Sequence, residues 1–132
     1  QPIMMRLLSD LTELCLAACH KSLETIDVLW EQQAALGVVL AAEGYPESVE
    51  KGKQITGLDN SFNKSVKVFH AGSLMDGDSI ITNGGRVLCV TALGNNVQSA
   101  QALAYETVKQ IHWQGMFYRS DIGDKAIKRQ QN

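Results

Sequence analysis

The stretch TNGGRVLCVTALG, residues 82–94, sets two glycines and an arginine at the head of an apolar run. RVLCVTAL is aliphatic and β-branched and reads as a strand. Asn83-Gly84 ahead of it is the strongest short hairpin signal in the chain, because both residue types tolerate positive φ. The pattern therefore predicts a hairpin with SIIT, residues 79–82, and an antiparallel sheet built outward from it. A turn needs no cation, however, so Arg86 calls for a second explanation.

Working outward, VKVFHAG reads as an alternating strand closed by Gly72, and MDGDS as a turn leading into SIIT. VLWEQQAALGVVLAAEGYP holds two apolar runs parted by Glu31-Gln32-Gln33, which predicts a second hairpin ending in a Gly-Tyr-Pro turn. Residues 47–63 are polar loop with room for a short strand at 54–56. Short strands joined by turns imply an antiparallel sheet that curls or closes. Helical spacing brackets this body. Met4, Leu7, Leu8, Leu11, Leu14, Cys15, Ala18 and Cys19 form one face of a leading helix with Pro2 in its first turn, ending near His20. Val97, Ala100, Leu103, Ala104, Val108 and Ile111 form a second, capped by Asn95 or Asn96. The expected fold is α+β: a long helix, a small antiparallel β-barrel-like body, a packed helix and a polar tail.

The 132 residues suffice for one ordinary core. Hydrophobic residues are 45%, charged residues 20% and the net charge is −2, a globular composition with no basic footprint for nucleic acid or an anionic membrane. No apolar run is long enough to cross a bilayer as a helix. Cys15, Cys19 and Cys89 form no paired framework and read as small core residues in a reducing compartment. Cys15 and Cys19 share a helical face, but His20 points elsewhere and no second ligand pair follows, so no metal site is expected.

No hydrolase elbow, Walker loop or dinucleotide fingerprint occurs. Three places remain: Asn83-Gly84-Gly85-Arg86, His70-Ala71-Gly72-Ser73, and Arg119 with Asp121. A Gly-Gly segment leaves backbone N–H groups open to an anion, and a neighbouring guanidinium adds bidentate donors, so a phosphate is the natural guest. On these residues alone a solvated arginine on a plain turn is the simpler reading. For His70 it is a strand-end imidazole with a backbone partner, for Arg119 and Asp121 a mutual surface pair, and for Tyr45-Pro46 a turn.

Five segments together, QPIMMRLLSDLTELCLAAC, LGVVLAAEGYP, KVFHAGS, TNGGRVLCVTALG and FYRSDIG, resemble in order and spacing the C-terminal part of the phosphoribosylamine–glycine ligases, ATP-grasp enzymes of purine biosynthesis. The resemblance implies that residues 1–27 are the last helix of the ATP-grasp domain and 28–132 the family's small C-terminal β-rich domain. The family's GDPETQP motif ends on what are here Gln1-Pro2, so the chain is expected to be a fragment, inactive alone, of a cytoplasmic, monomeric ligase.

That ligase joins glycine to 5-phosphoribosylamine through a glycyl phosphate, with ATP and Mg²⁺ bound mainly upstream. The resemblance leaves this chain no catalytic or metal-binding residue and makes it the domain that closes over substrate. It promotes Arg86 to a ligand of the ribose 5-phosphate, with Asn83, Gly84 and Gly85 allowing close backbone approach and His70, Gly72 and Ser73 beside them. Arg119 and Asp121 receive no role beyond support. Departures from the family pattern are Ser73-Leu74 where relatives carry Thr-Lys, Glu43 and Glu47 in place of two glycines, and an unfamiliar loop at 57–64. A stand-alone, non-catalytic β-rich binding module of the same fold is the competing reading.

Overall fold

The computed structural model describes residues 1–130. Its organising element is the strand β5 (Arg86–Gly94), which sits between β1 (Ala34–Ala41) and β2 (Val66–His70), both antiparallel to it. Val90 faces Val38 on one side and Val68 on the other. A central strand covered on both faces has no reason to alternate, which is why RVLCVTAL reads as a continuous apolar run. Helix α3 (Val97–Val108) lies across β5 and β1 and buries Ala100, Ala104 and Val108. These small residues let it sit close: a Cβ on Gly94 would stand 2.5 Å from the amide nitrogen of Ala100. Of the two cap candidates it is Asn96 that caps α3, in a reciprocal box with Ser99. Val38, Leu40, Val87, Leu88, Val90, Ile111 and Trp113 complete the core, each worth ~1.5–3 kcal/mol on burial if aliphatic.

The strands β3 (Ser73–Asp76) and β4 (Ser79–Thr82) pair only with each other as named strands, turning at Gly77 with φ 57. Residues 52–55 run along the other side of β4, through Gly52 N–H to Thr82 O and Ile55 N–H to Ile80 O. The short strand expected at 54–56 appears there as isolated bridges from Gln54 to Ile81 and from Thr56 to His112.

Four expectations need correction. First, no closed barrel forms among the described residues: an open three-stranded sheet stands beside a two-stranded one. Second, Asn83-Gly84-Gly85 is not a hairpin turn. The strands on either side of it belong to different sheets, and none of the three residues has positive φ. The hairpin turn is instead at Gly77. Third, residues 28–30 do not fold back on β1. Trp30 bridges to Leu7, and Leu8 N–H donates to Leu29 O, so the segment pairs with the amino-terminal region while β1 takes β5 as its partner.

Fourth, the leading helix is two helices, α1 (Pro2–Arg6) and α2 (Leu11–Cys19). Asp10 breaks the period by accepting N–H bonds from Thr12 (2.7 Å) and Glu13 (3.4 Å), which starts a new helix. These backbone bonds also hold its carboxyl below the ordinary value of 3.8. α1 packs on β1, with Pro2 against Gly37. α2 buries only Ala17, and Leu11, Leu16, Cys15 and Cys19 are exposed. Only Cys89 of the three cysteines is the core residue expected. The tail forms the short helix α4 (Asp124–Gln130).

Candidate functional site

Arg86 is the first residue of β5, opposite Ala41 of β1, and its side chain is exposed. It makes no ion pair or side-chain hydrogen bond among the described residues. Around it opens a groove of about 460 Å³ walled by Gln1, Val39, Tyr45, Ala71 and Gly85. The amides of Gly84 and Gly85 donate to no acceptor among the described residues. A guanidinium without a side-chain partner and two unpaired N–H groups stand together at one strand entry, and Gly85 of the two glycines lines the groove; such groups can receive an anion.

The glycines are present here for proximity, not for φ. Gly72 N–H donates to Arg86 O and Asn83 N–H to Gly72 O, both at 2.8 Å. A Cβ on Gly72 would lie 2.8 Å from Cα of Gly84, and one on Gly85 would strike the Tyr45 ring. Two backbone segments therefore cross at contact distance, and Tyr45 covers the crossing. That aromatic contact is invisible in the Gly-Tyr-Pro turn signal, because it depends on residues forty positions apart in the chain.

His70 and Ser73 are placed differently from the expectation. His70 Nδ1 and Ser73 Oγ bond to each other at 2.8 Å and line a separate cavity of about 260 Å³ with Leu74 and Met75. From that segment only Ala71 lines the Arg86 groove, while the Gly72 N–H bonds the Arg86 backbone beneath it. Another cavity, about 480 Å³ between α1 and Trp30, also contains an arginine. Arg6 there is tied to the backbone, its Nε and Nη2 donating to Glu31 O at 3.2 and 3.0 Å.

A second cavity of about 300 Å³ adjoins the groove and shares Val39, Tyr45 and Arg86 with it; Phe117 and Arg119 form its far wall. Arg119 and Asp121 pair as expected, Nε to Oδ1 at 2.9 Å and Nη2 to Oδ2 at 2.7 Å. Each steadies the other's charge: the hydrogen bond to Arg119 lowers the Asp121 carboxyl, and the same bond raises the guanidinium. Burial pushes the nearby Tyr105 hydroxyl up. No group of three or more His, Cys, Asp or Glu side chains among the described residues is arranged to hold a metal, so the donors here do not fit an Mg²⁺ site. No helix among them is long and apolar enough to cross a membrane.

Residues 35–125 match the family model described as phosphoribosylglycinamide synthetase, C domain. The chain is 56% identical over 131 residues to a phosphoribosylamine–glycine ligase of Vibrio vulnificus, strain YJ016, covering 99% of this chain and 30% of that protein. Against the enzyme of that name from Escherichia coli K12 the identity is 53% over 133 residues, covering 100% of this chain and 31% of the relative. A crystal structure of phosphoribosylamine–glycine ligase from Thermotoga maritima superposes with a TM-score of 0.65 at 34% identity, over 83% of this chain and 27% of that one. The chain thus spans about 30% of the length of the curated relatives it matches. A match that runs through both sheets, α3 and the Arg86 groove places the chain in the phosphoribosylglycinamide synthetase family, whose C domain it carries.

Proposed function

We propose that this chain is the substrate-closing C-terminal part of a phosphoribosylamine–glycine ligase, and that Arg86 binds the 5-phosphate of phosphoribosylamine. The observation that carries this reading is the unpaired Arg86 beside the open Gly84 and Gly85 amides at the head of β5. A phosphate oxygen pair matches the guanidinium fork, and the backbone N–H groups of Gly84 and Gly85 have no acceptor of their own among the described residues. Charge-assisted bonds of this kind hold the sugar phosphate while its amine is directed at the activated glycine.

The reaction joins glycine to phosphoribosylamine as ATP is split to ADP and phosphate through a glycyl phosphate. ATP, Mg²⁺ and the catalytic groups belong to the rest of the ligase, of which α1 and α2 form the last part of the ATP-grasp domain. This chain binds and orients, and it excludes water on one side of the cleft. The whole enzyme acts as a cytoplasmic monomer on small molecules.

The test is the complete ligase with Arg86→Ala. Losing one charge-assisted contact should raise KM for phosphoribosylamine roughly ten- to a hundred-fold, with KM for ATP unchanged. An unchanged KM for phosphoribosylamine would remove Arg86 from the phosphate site. Absence of ligase activity in the wild-type complete protein would favour a non-catalytic binding module instead.

A further inference from the structure

We propose that Arg119 is a second anion-binding residue, reached through the cavity that adjoins this groove at Arg86 and held in position by Asp121 and by the α3-anchored loop 118–123. The proposal rests on the reading of the Arg86 groove given above and names a further group that contacts the ligand there. Its ligand chemistry is a pair of anionic oxygens, which a phosphate or a carboxylate supplies.

The placement follows from one strand position. Ala41 of β1 registers with Arg86 on one side, and on the other it pairs with Phe117 through two backbone bonds, Ala41 N–H to Phe117 O at 2.9 Å and the reverse at 3.0 Å. The chain leaving Phe117 therefore starts one strand across from Arg86, about 10 Å away over Ala41, and Arg119 lines the 300 Å³ cavity together with Arg86 and Tyr45. No carboxylate lines that cavity, and most of its wall is apolar. Two exposed guanidinium groups that line one cavity with no carboxylate in its wall leave room for an anion between them.

The guanidinium has donors to spare. Asp121 occupies Nε and one hydrogen of Nη2, which leaves the other Nη2 hydrogen and both Nη1 hydrogens without an acceptor among the described residues. That free edge is a second fork, and the carboxylate on the first edge keeps it from rotating. The loop is fixed as well. Tyr105 OH donates to Arg119 O at 2.6 Å and accepts the Ile122 N–H at 3.1 Å. Gln101 Nε2 donates to Ile122 O at 2.8 Å and to Asp124 Oδ1 at 2.7 Å. An isolated surface ion pair contributes little and needs no such support. Asp121, Tyr105 and Gln101 are positioning residues, and Arg119 is the residue that touches ligand.

The test uses the complete ligase carrying Arg119→Gln, Arg119→Lys or Asp121→Asn, with Arg86→Ala in parallel. Arg119→Lys keeps a partner for Asp121, so it guards against misfolding. Steady-state KM for phosphoribosylamine and for glycine, calorimetric affinity for ribose 5-phosphate, and Tm are measured for each. Arg119→Gln should raise one of the two KM values about tenfold or more with little change in Tm. Arg119→Lys should recover only part of that loss, because the fork is gone, and Asp121→Asn should move the same KM by a smaller factor.

A raised phosphoribosylamine KM with weakened ribose 5-phosphate binding assigns the phosphate to Arg119; a raised glycine KM alone assigns the carboxylate. If both KM values stay within about twofold of wild type while Arg86→Ala raises its own, the ion pair is only structural and the proposal is overturned. If Arg86→Ala is also silent, the reading of the whole groove fails with it.

Discussion

Replacing Gly72 by alanine tests whether the crossing beneath Arg86 is as rigid as its geometry implies. Gly72 does not have positive φ, so alanine brings no conformational strain of its own. The added Cβ would lie 2.8 Å from Arg86 O, 2.8 Å from Gly84 Cα and 3.1 Å from the Gly84 carbonyl carbon. All three are backbone atoms, so no side chain can swing aside. Ordinary carbon contact begins near ~3.5 Å, and the two segments must part by about half an ångström or more. Their connecting bonds, Gly72 N–H to Arg86 O and Asn83 N–H to Gly72 O, are both 2.8 Å long and stretch together.

Overpacking of this kind costs about 1–3 kcal/mol, and weakening two bonds adds about 1–2. The stiffer unfolded chain returns about 0.4–1. The net loss is about 1–4.5 kcal/mol. Gly84→Ala is the control: its Cβ meets Gly72 Cα at 3.1 Å and little else, so about 1 kcal/mol is expected. Urea unfolding followed by the fluorescence of Trp113, which is 1% exposed, reads both. A Gly72→Ala protein within about 0.5 kcal/mol of wild type, or one no worse than Gly84→Ala, would refute the close-crossing explanation of these glycines.

Two further outcomes are expected. Asn96→Ala removes the reciprocal cap of α3 and should lower stability by about 1 kcal/mol in the same assay; an unchanged midpoint would mean the cap is idle. Asp121 should titrate below 3.8 by carboxyl NMR, and its midpoint should rise in Arg119→Gln. Because the folded value is the depressed one, the pairing of Arg119 is complete above the unfolded value and fades as pH falls through the folded one. A midpoint indifferent to Arg119→Gln would show that the pair is not formed in solution.

The sequence by itself determined the local elements whose causes lie within a few residues. The strand of residues 86–94, the Asn96 cap and the α3 face followed from period and capping chemistry, and the five family segments carried the identification. The tertiary structure decided what depends on partners distant in the chain. β1 pairs with β5 and not with its own preceding run, because a central strand buried on both faces offers a longer ladder than a short hairpin to residues 28–30. The Gly-Gly signal was legible as a need for glycine, yet its reason was misread. Positive φ is a local property, whereas the approach of Gly72 to Gly84 exists only once two sheets are joined. The site divides in the same way. Arg86 stood out beside its glycines, but the separation of His70 from it, and the presence of Tyr45 and Arg119 around it, are set by the crossing of β2, β1 and the tail. No spacing along the chain encodes that.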